Sequence, residues 1–384
     1  MNNKVKVDAV VVGTGIMGLM LAKRLLDFGQ TVAVVEKSPT IAYGSSSKNH
    51  GWVHQGTTHS LSAVSLSEAK QTTQQLQYGY HFFKTYAPEA FDEPFTATYA
   101  VTKDAARAAR AREIWKACGV PFEELTSEQF LEIEPGISGD HAKFFFRVAD
   151  GRVNNRLLFM KLLTEIKRHG ALMLTGATYD YTAIDTVRVV TEYGTTHVVA
   201  PLFFYAAGAH LDEAYSKLMG KPLGITCYKS HLLYMPRFTN VSVIGLDADS
   251  PIVINHGDTS IVNRPHDEQR AQAGDYEIDH EEIRRSIAVL HDSYPIAKTM
   301  PMSQVQVAAC LKPNIPAEHG DEGLHINVST YQPIPGHIFA LPGKMTAAPY
   351  VADSLVKLVA PKLNLSPVTP RPFEVALAPA ALIV

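Results

Sequence analysis

The feature that most restricts the fold of this chain is a triple of glycines near its N-terminus, Gly13-x-Gly15-x-x-Gly18. It follows a short β-branched run, Val7–Val12, and precedes Ile16–Phe28, where leucines recur at helical spacing. The first glycine permits a tight turn, the second lets the backbone approach a pyrophosphate, and the third lets the helix pack closely on the strand. The pattern therefore predicts a strand, a phosphate-binding turn and a helix.

A second apolar run, Thr31–Val35, predicts the next strand, and it ends on an acidic residue, Glu36. Strand, helix and strand together make a Rossmann-type unit, in which an acidic residue at this position binds the ribose hydroxyls of a dinucleotide. A 2′-phosphate would be repelled by Glu36, so FAD or NAD is favoured over NADP. The motif itself does not distinguish FAD from NAD.

The remaining pattern predicts an α/β (α+β) fold, with a Rossmann-type FAD-binding domain and a second, antiparallel-sheet substrate domain. Short strand-like runs at Tyr228–Pro236, Val241–Gly245, Pro251–His256 and Ser260–Arg264 predict one antiparallel sheet. Strand and helix character returns near the C-terminus, with predicted strands at His325–Val328 and His337–Ala340. The predicted FAD-binding domain is discontinuous and comprises residues 1–85, 145–225 and 310–384; residues 86–144 and 226–309 form the predicted substrate-binding domain.

Charge and cysteine content exclude several classes of function. The chain has 35 Lys and Arg against 38 Asp and Glu, without runs of like charge, which argues against a nucleic-acid partner and a polybasic membrane anchor. Three widely spaced cysteines indicate neither a disulfide framework nor a zinc site, and no metal is expected. No apolar run is long enough to span a bilayer, and the early first strand leaves no room for a signal peptide. We therefore expect a cytoplasmic protein with a small-molecule substrate.

The segment after the second predicted strand carries a resemblance to a known family. Residues 44–56, GSSSKNHGWVHQG, resemble the S-S-x-R-N-S-G-x-x-H-x-G stretch of the D-amino-acid oxidase superfamily, especially L-2-hydroxyglutarate oxidases and flavin-linked glycerol-3-phosphate dehydrogenases. Small hydroxyl residues and exposed backbone amides suit a segment that crosses a pyrophosphate and a flavin edge. The resemblance implies FAD as the cofactor.

Further elements resemble the same family in the same order along the chain. Residues 150–154 (DGRVN) resemble its D-G-x-V-[DN] element, and residues 204–209 (FYAAGA) resemble its N-A-A-G-x strand end near the flavin. Residues 228–231 (YKSH) depart from the usual R-G-Q form. Residues 309–316 (ACLKPNIP) resemble the A-G-x-R-P-x-T-P element, and Lys312 replaces the arginine that often holds a substrate carboxylate or phosphate.

The resemblance also implies specific roles for residues. In related sarcosine oxidases a cysteine at the position of Cys310 bonds the flavin covalently; a small buried cysteine is the alternative, and His50 is another attachment candidate. His54 matches the histidine of the family stretch and is the candidate base or substrate-orienting group. Lys312 is the candidate anion-binding residue. Arg264 is a second one, with a solvated surface charge as its alternative.

The predicted FAD-binding residues lie in the glycine motif, the segment after the second strand, and three later elements: Gly13, Gly15, Gly18, Glu36, Lys37, Ser45, Ser46, Ser47, Lys48, Asn49, His50, Gly51, Tyr179, Ala207, Gly208, Gly343, Lys344, Met345 and Thr346. Tyr228, Tyr234 and Tyr331 are candidate pocket residues, although aromatic residues at strand spacing also form cores.

Three functional hypotheses follow from the sequence. The first is an FAD-dependent oxidase or dehydrogenase acting at a C–OH or C–NH centre beside an anionic group, on a 2-hydroxy acid or an amino acid or amine, with oxygen or a quinone as electron acceptor. The second is an NAD-dependent dehydrogenase that uses the same glycine motif. The third is a non-catalytic FAD-binding module.

Overall fold

The computed structural model describes residues 3–91, 98–264, 269–314 and 332–362. Its helices are α1 Ile16–Asp27, α2 Leu66–Tyr86, α3 Ala105–Cys118, α4 Ser127–Ile133, α5 Asn155–Arg168, α6 Leu211–Met219, α7 His280–Ser293 and α8 Ala348–Val359. Its strands are β1 Asn3–Lys6, β2 Ala9–Val12, β3 Val32–Val35, β4 Trp52–Val53, β5 Thr98–Thr102, β6 Phe122–Leu125, β7 Phe144–Val148, β8 Gly151–Arg152, β9 Leu172–Leu174, β10 Thr178–Ala183, β11 Thr186–Thr191, β12 Gly194–Val199, β13 Leu202–Tyr205, β14 Thr226–Pro236, β15 Ser242–Gly245, β16 Ile252–His256, β17 Thr259–Asn263, β18 Gln269–Ala271, β19 Gln306–Asn314 and β20 His337–Phe339.

A five-stranded parallel sheet forms the centre of the N-terminal layer, in the order β20-β13-β2-β3-β9. Helices α1, α5 and α8 pack on one face, where Val11 joins their apolar side chains. A second sheet, β1-β12-β11-β10, and helix α6 cover the other face, where Val10 and Val12 are buried. Because both faces of the parallel sheet are covered, its strands have continuous apolar sequences. The predicted Rossmann-type unit is confirmed as part of this mixed α/β fold.

The other large sheet has nine strands among the described residues, in the order β18-β14-β17-β16-β15-β5-β7-β6, with β19 also paired to β14. Its pairs are antiparallel with one exception, since β15 runs parallel to β5 between Ser242↔Thr98 and Gly245↔Val101. The four runs predicted to form one antiparallel sheet are β14 to β17, whose mutual pairs are all antiparallel, so that prediction is confirmed. The parallel pair involves β5, which was not among them. The exception arises because β5 belongs to an earlier part of the chain and enters the sheet after a long connection, so a hairpin does not fix its direction.

The predicted strands and helices of the first unit lie within a few residues of those observed, and α8 begins one residue before the predicted Pro349. Predicted boundaries at residues 145 and 310 fall inside β7 and β19, which both belong to the nine-stranded sheet. The division into domains stays a prediction. The predicted strand at His325–Val328 lies outside the described residues. Within the described ranges, no helix combines the length and apolar character needed to cross a membrane.

Candidate active site

One cavity of about 1090 Å³ opens where neighbouring parallel strands end. Strand β2 leads into Gly13, β13 into Ala206, and β20 into Ala340, and all three residues line the cavity. Ligands of open α/β sheets bind outside the carboxyl ends of such strands. The volume lies at the upper end of the range for ligand pockets, about 1,000 Å³, which suits a ligand of dinucleotide size.

The glycine turn shapes one end of this cavity. Gly13 adopts a φ of +103°, and a Cβ there would lie 2.5 Å from the carbonyl oxygen of Ala206. Helix α1 begins after Gly15 without a side-chain cap, while the Ile16 amide donates to Ser46 Oγ at 2.9 Å. Gly18 does not line the cavity; it brings α1 against the turn, the packing role expected of the third glycine. The turn thus presents a helix N-terminus to the cavity, which suits a pyrophosphate.

Glu36 lies beside this turn and is already engaged in hydrogen bonds. One carboxylate oxygen accepts from the Thr14 amide at 2.7 Å and the Thr14 hydroxyl at 2.6 Å, and the other accepts from the Ser38 amide at 2.8 Å. A carboxylate has about four acceptor sites, so capacity remains for one ribose hydroxyl. Glu36 therefore both fixes the turn and faces the ligand space.

The same end carries Lys37 and Tyr179, which both line the cavity. Lys37 is largely exposed and pairs with Glu213 at 3.5 Å. The ammonium of Lys217 lies 4.8 Å from the centre of the Tyr179 ring. The predicted Ala207 and Gly208 also line this part of the cavity. Glu213 and Lys217 were missed, because helix α6 carried no motif that distinguished them from surface charges.

The segment from Ser45 to Gly51 forms the side wall of the cavity and is tied to β19, since the Ser45 hydroxyl donates to the Leu311 carbonyl. Asn49 closes the loop: its amide group donates to the Ser45 and Ser46 carbonyls at 3.1 and 2.8 Å. Ser45, Ser46, Asn49 and His50 line the cavity, whereas the predicted Ser47, Lys48 and Gly51 do not.

These three residues have other surroundings. Ser47 is exposed. The Lys48 ammonium lies 3.7 Å from the centre of the Tyr276 ring and 4.7 Å from that of Tyr43. Gly51 has a φ of +66°, and a Cβ there would lie 2.2 Å from the Val153 carbonyl oxygen, so it permits a close approach of two backbones. A direct FAD contact stays a prediction for all three.

Beyond Gly51 the chain pairs as β4 with β8, and a buried carboxylate fixes this junction. Asp150 accepts from the Gln55 amide at 2.7 Å and from the Trp52 indole N–H at 3.0 Å. His54 lies between these two donors in the sequence, so Asp150 fixes the backbone on both sides of it. Burial raises the pKa of Asp150 to about 6.

Asp150→Asn is expected to change how stability depends on pH. Because the pKa of Asp150 is higher in the folded protein than in the unfolded chain, the folded state binds more protons, and stability falls as pH rises from about 4 to 7. Asparagine cannot ionise, so the stability of wild type relative to the variant should fall by about 2–3 kcal/mol over that range. Thermal melting of the holoenzyme at several pH values measures this difference in stability.

Asp249→Asn is the control with opposite sign, because a hydrogen bond from Lys103 lowers the pKa of Asp249. Parallel curves for wild type and Asp150→Asn would contradict the prediction.

Three histidines meet at the other end of the cavity: His50, His54 and His59. Burial lowers the pKa of His50 to about 3 and lowers the pKa values of His54 and His59 well below 6.5, with the ammonium groups of Lys312 and Lys344 adding to the effect on each. All three imidazoles are therefore neutral at pH 7. His50 Nε2 lies 3.0 Å from Asn263 Oδ1, and its carbonyl lies 2.5 Å from His256 Nε2.

His59 was missed by the sequence reasoning. It lies in a polar loop five residues after His54, and no motif distinguishes it. The turn at Gly56, with φ of +105°, returns the chain so that the Ser60 amide donates to the Gly56 carbonyl at 3.0 Å. A glycine two residues after a candidate base is the local signal for such a return.

The predicted anion-binding residues lie at this same end. Lys312 and Arg264 line the cavity, as does Cys310, whose side chain is buried. Arg264 is not the solvated surface charge considered as its alternative: its side chain is 20% exposed and its Nη2 lies 2.6 Å from the buried Glu282 carboxylate. Covalent flavin attachment at Cys310 or His50 stays a prediction.

Of the tyrosines proposed as pocket residues, Tyr228 and Tyr234 are not among the described residues that line the cavity, and Tyr331 lies outside the described residues. Tyr43 and Tyr276 line it instead. In this sheet the lining residues come from β16, β17 and β19, and no residue of β14 is among them, so alternation along β14 could not reveal the pocket.

The turn before α8 closes the site. Gly343, Lys344 and Met345 line the cavity, whereas Thr346 does not; its hydroxyl accepts a hydrogen bond from the His54 amide at 3.2 Å. Thr346 is therefore connected to the site through the backbone of His54. Its direct contact with FAD stays a prediction.

Comparison with known proteins decides the family. A model of the DAO family of FAD-dependent oxidoreductases matches residues 8–352, nearly the whole chain. The chain belongs to the FAD-dependent oxidoreductases of the DAO family. FAD is the cofactor of this oxidoreductase, so the NAD-dependent and non-catalytic hypotheses are not supported. The uncapped helix start, the glycine turn whose space a Cβ would fill, and Glu36 fit this cofactor.

Several solved structures have the same fold as this chain. Glycine oxidase from Geobacillus kaustophilus has a TM-score of 0.74 at 17% identity, over 93% of this chain and 95% of that one. L-Proline dehydrogenase from P. horikoshii has a TM-score of 0.74 at 16% identity, over 96% of each chain. L-α-Glycerophosphate oxidase from Mycoplasma pneumoniae with FAD bound has a TM-score of 0.73 at 15% identity, over 92% and 95%. No curated protein sequence matches the oxidoreductase significantly.

Proposed function

We propose that this FAD-dependent oxidoreductase oxidises a C–OH or C–NH centre of a small anionic substrate. The observation that carries the proposal is the charge at the histidine end of the cavity, where the ammonium groups of Lys312 and Lys344 act on all three histidines. The acidic residues among the described cavity lining, Glu36 and Glu213, belong to the opposite, nucleotide end. A carboxylate or phosphate beside the reacting carbon would find complementary charge here.

The cofactor supplies one part of the chemistry, since bound FAD accepts a hydride from the substrate carbon. The chain supplies the rest. Lys312 binds the anionic group as a point charge, without the planar two-point grip of an arginine. His54 is neutral and buried, so its imidazole accepts the proton of the substrate O–H or N–H.

The proposal covers 2-hydroxy acids, polyol phosphates and amino acids. The solved structures that share its fold include proteins named for amino-acid and glycerophosphate oxidation, which makes both classes worth testing. Oxygen or a quinone is the proposed electron acceptor. A cytoplasmic location stays a prediction.

A matched substrate panel tests the proposal. The holoenzyme is mixed without oxygen with lactate, glycerol 3-phosphate, glycine, sarcosine and proline, and with the uncharged partners lactamide, glycerol, glycinamide, sarcosinamide and prolinamide. We expect at least one anion to bleach the flavin absorbance, while its uncharged partner does not. Admission of air or a soluble quinone then identifies the acceptor. Equal bleaching by the uncharged partner, or none by any anion of the panel, would count against the proposed substrate class.

Lys312→Met is expected to weaken binding of the anionic substrate by about 10- to 100-fold, because it removes one charge-assisted contact of about 1.5–3 kcal/mol. Lys312→Arg keeps the charge and should stay within about tenfold of wild type. The measurement is the substrate concentration that half-saturates anaerobic flavin reduction. Lys143→Met, at an exposed lysine, is the control. An unchanged half-saturation in Lys312→Met would exclude Lys312 as the anion-binding residue.

A further inference from the structure

A second imidazole lies against the candidate base. The ring centroids of His54 and His59 are 4.5 Å apart with an interplanar angle of 71°, an edge-to-face contact. Both residues line the same end of the cavity. Trp52 also packs against His54, with ring centroids 4.0 Å apart. The indole and the second imidazole together limit where the His54 ring can move.

The nitrogens of the two rings are arranged in a complementary way. His54 Nδ1 and His59 Nε2 are enclosed, and neither has a hydrogen-bond partner among the described residues. The second nitrogen of each ring, His54 Nε2 or His59 Nδ1, is not among these orphaned atoms, and both residues line the cavity. Buried polar nitrogens without partners are uncommon in native proteins and call for an explanation. A ligand bound in the cavity would contact both rings.

Burial and neighbouring positive charges keep both rings neutral before a substrate binds. Lys344 and Lys312 act on both rings, and His50 acts on His54, so each ring has its pKa lowered and starts neutral. Two protonated imidazoles at this separation would repel each other in a desolvated site, so we expect the pair to hold at most one proton.

We propose that His59 is a second catalytic residue that contacts the substrate beside His54, and that the two imidazoles together hold the one proton the substrate releases. The idea rests on the proposed function. In the oxidation, the substrate C–H bond breaks and its electron pair leaves with the hydrogen as hydride to FAD. The O–H or N–H bond breaks, its electron pair completes a C=O or C=N double bond, and its proton passes to the unprotonated nitrogen of one of the two rings.

The test uses the holoenzyme with the compound that bleaches it in the substrate panel. His59→Ala is expected to lower the rate of anaerobic flavin reduction by 10- to 100-fold, and added imidazole should restore at least part of that rate. 4-Methylimidazole, which is more basic, should restore more than imidazole at equal occupancy. His59→Gln should stay slow, since an amide donates and accepts hydrogen bonds but does not take up a proton near neutral pH. His81→Ala, at an exposed position on α2, is the control.

The outcomes separate the two claims. If wild type and the His81→Ala variant reduce the flavin and His59→Ala does so at the same rate, His59 is not catalytic. If His59→Gln reduces the flavin as fast as wild type, or if azoles restore the rate of His59→Ala regardless of their basicity, His59 has a packing or hydrogen-bonding role. Either result would overturn the proton-holding role. Flavin content and melting temperature, measured for each variant, show whether a slow rate comes from lost FAD. If no anion bleaches wild type, the proposed function fails first, and this inference fails with it.

Discussion

His54→Gln is expected to slow anaerobic flavin reduction by about 10²- to 10⁴-fold while leaving FAD bound, the range found when a general base is removed. The glutamine side chain keeps a polar group in the cavity, yet it cannot accept the substrate proton. The backbone contact of His54 with Thr346 is made through the amide, so the substitution leaves it in place. Stopped-flow absorbance of the flavin band measures the rate.

The pH dependence of the wild-type rate provides a second readout with a defined sign. Because burial and neighbouring positive charges lower the pKa of His54, the neutral form persists as pH falls below 6.5. We therefore expect a plateau that extends to pH values where an ordinary imidazole, with a pKa of about 6.5, is half protonated. The His81→Gln variant should follow wild type at each pH. A His54→Gln rate close to wild type would exclude His54 as the base.

The N-terminal unit could be predicted because its signals are local. Three glycines at fixed spacing, a β-branched run before them and a leucine-spaced helix after them lie within about twenty residues, and Glu36 follows the next strand. The β2 and β3 runs are buried on both faces, so their short length, β-branched residues and flanking glycines identify them as strands, whereas helical spacing of leucines identifies α1. Observed strand and helix bounds accordingly differ from the predicted ones by only a few residues.

The substrate end of the site could be predicted only in part, because distant segments assemble it. His54, Asn263 and Lys312 come from three parts of the chain that meet through the pairing of β4 with β8 and of β14 with β17 and β19. Sequence patterns do not encode such long-range register. The resemblance to a family identified His54 and Lys312, since both occupy motif positions. It did not identify His59 or Tyr276, which lie outside those motifs.

Arg264 shows why burial of a charge is hard to infer from sequence. Its partner Glu282 lies on α7, eighteen residues later. Acidic residues in the first turn of a helix are usually exposed, so nothing in the sequence indicated that Glu282 is buried. A side chain whose charge is matched by a buried carboxylate can stay in the protein at tolerable cost, whereas an unmatched one could not. The ion pair thus keeps a guanidinium at the wall of the cavity.

Asp150 is a residue whose place in a motif could be read from the sequence, but whose contacts could not. The DGRVN element pointed to Asp150 by family resemblance. The structure explains why an acid is needed there, because the Trp52 indole and the Gln55 amide would lose their acceptor without it. An unpaired buried donor costs about 1–3 kcal/mol. The carboxylate therefore contributes to the position of the base without contacting the cavity, since Asp150 is not among the described lining residues.

Gly18→Ala is expected to abolish FAD retention, with an apparent dissociation constant raised at least about 100-fold, or about 2.7 kcal/mol. A Cβ at Gly18 would lie 1.9 Å from the Gly13 carbonyl oxygen and 2.9 Å from its carbonyl carbon, distances that real Cβ atoms do not adopt. Helix α1 must then move away from the turn, and its N-terminus loses its place opposite the pyrophosphate. Fluorescence titration of the apoprotein with FAD measures the affinity.

Gly139→Ala is the matched control, because a Cβ there would meet open space and the backbone is not in the left-handed region. It should bind FAD like wild type. Far-ultraviolet circular dichroism of both apoproteins distinguishes a displaced helix from a chain that does not fold, since displacement of α1 preserves the helical signal. Retention of FAD by Gly18→Ala at wild-type affinity would mean that α1 and the turn can separate without loss of the site. The close packing at the third glycine would then not be what positions the helix for the cofactor.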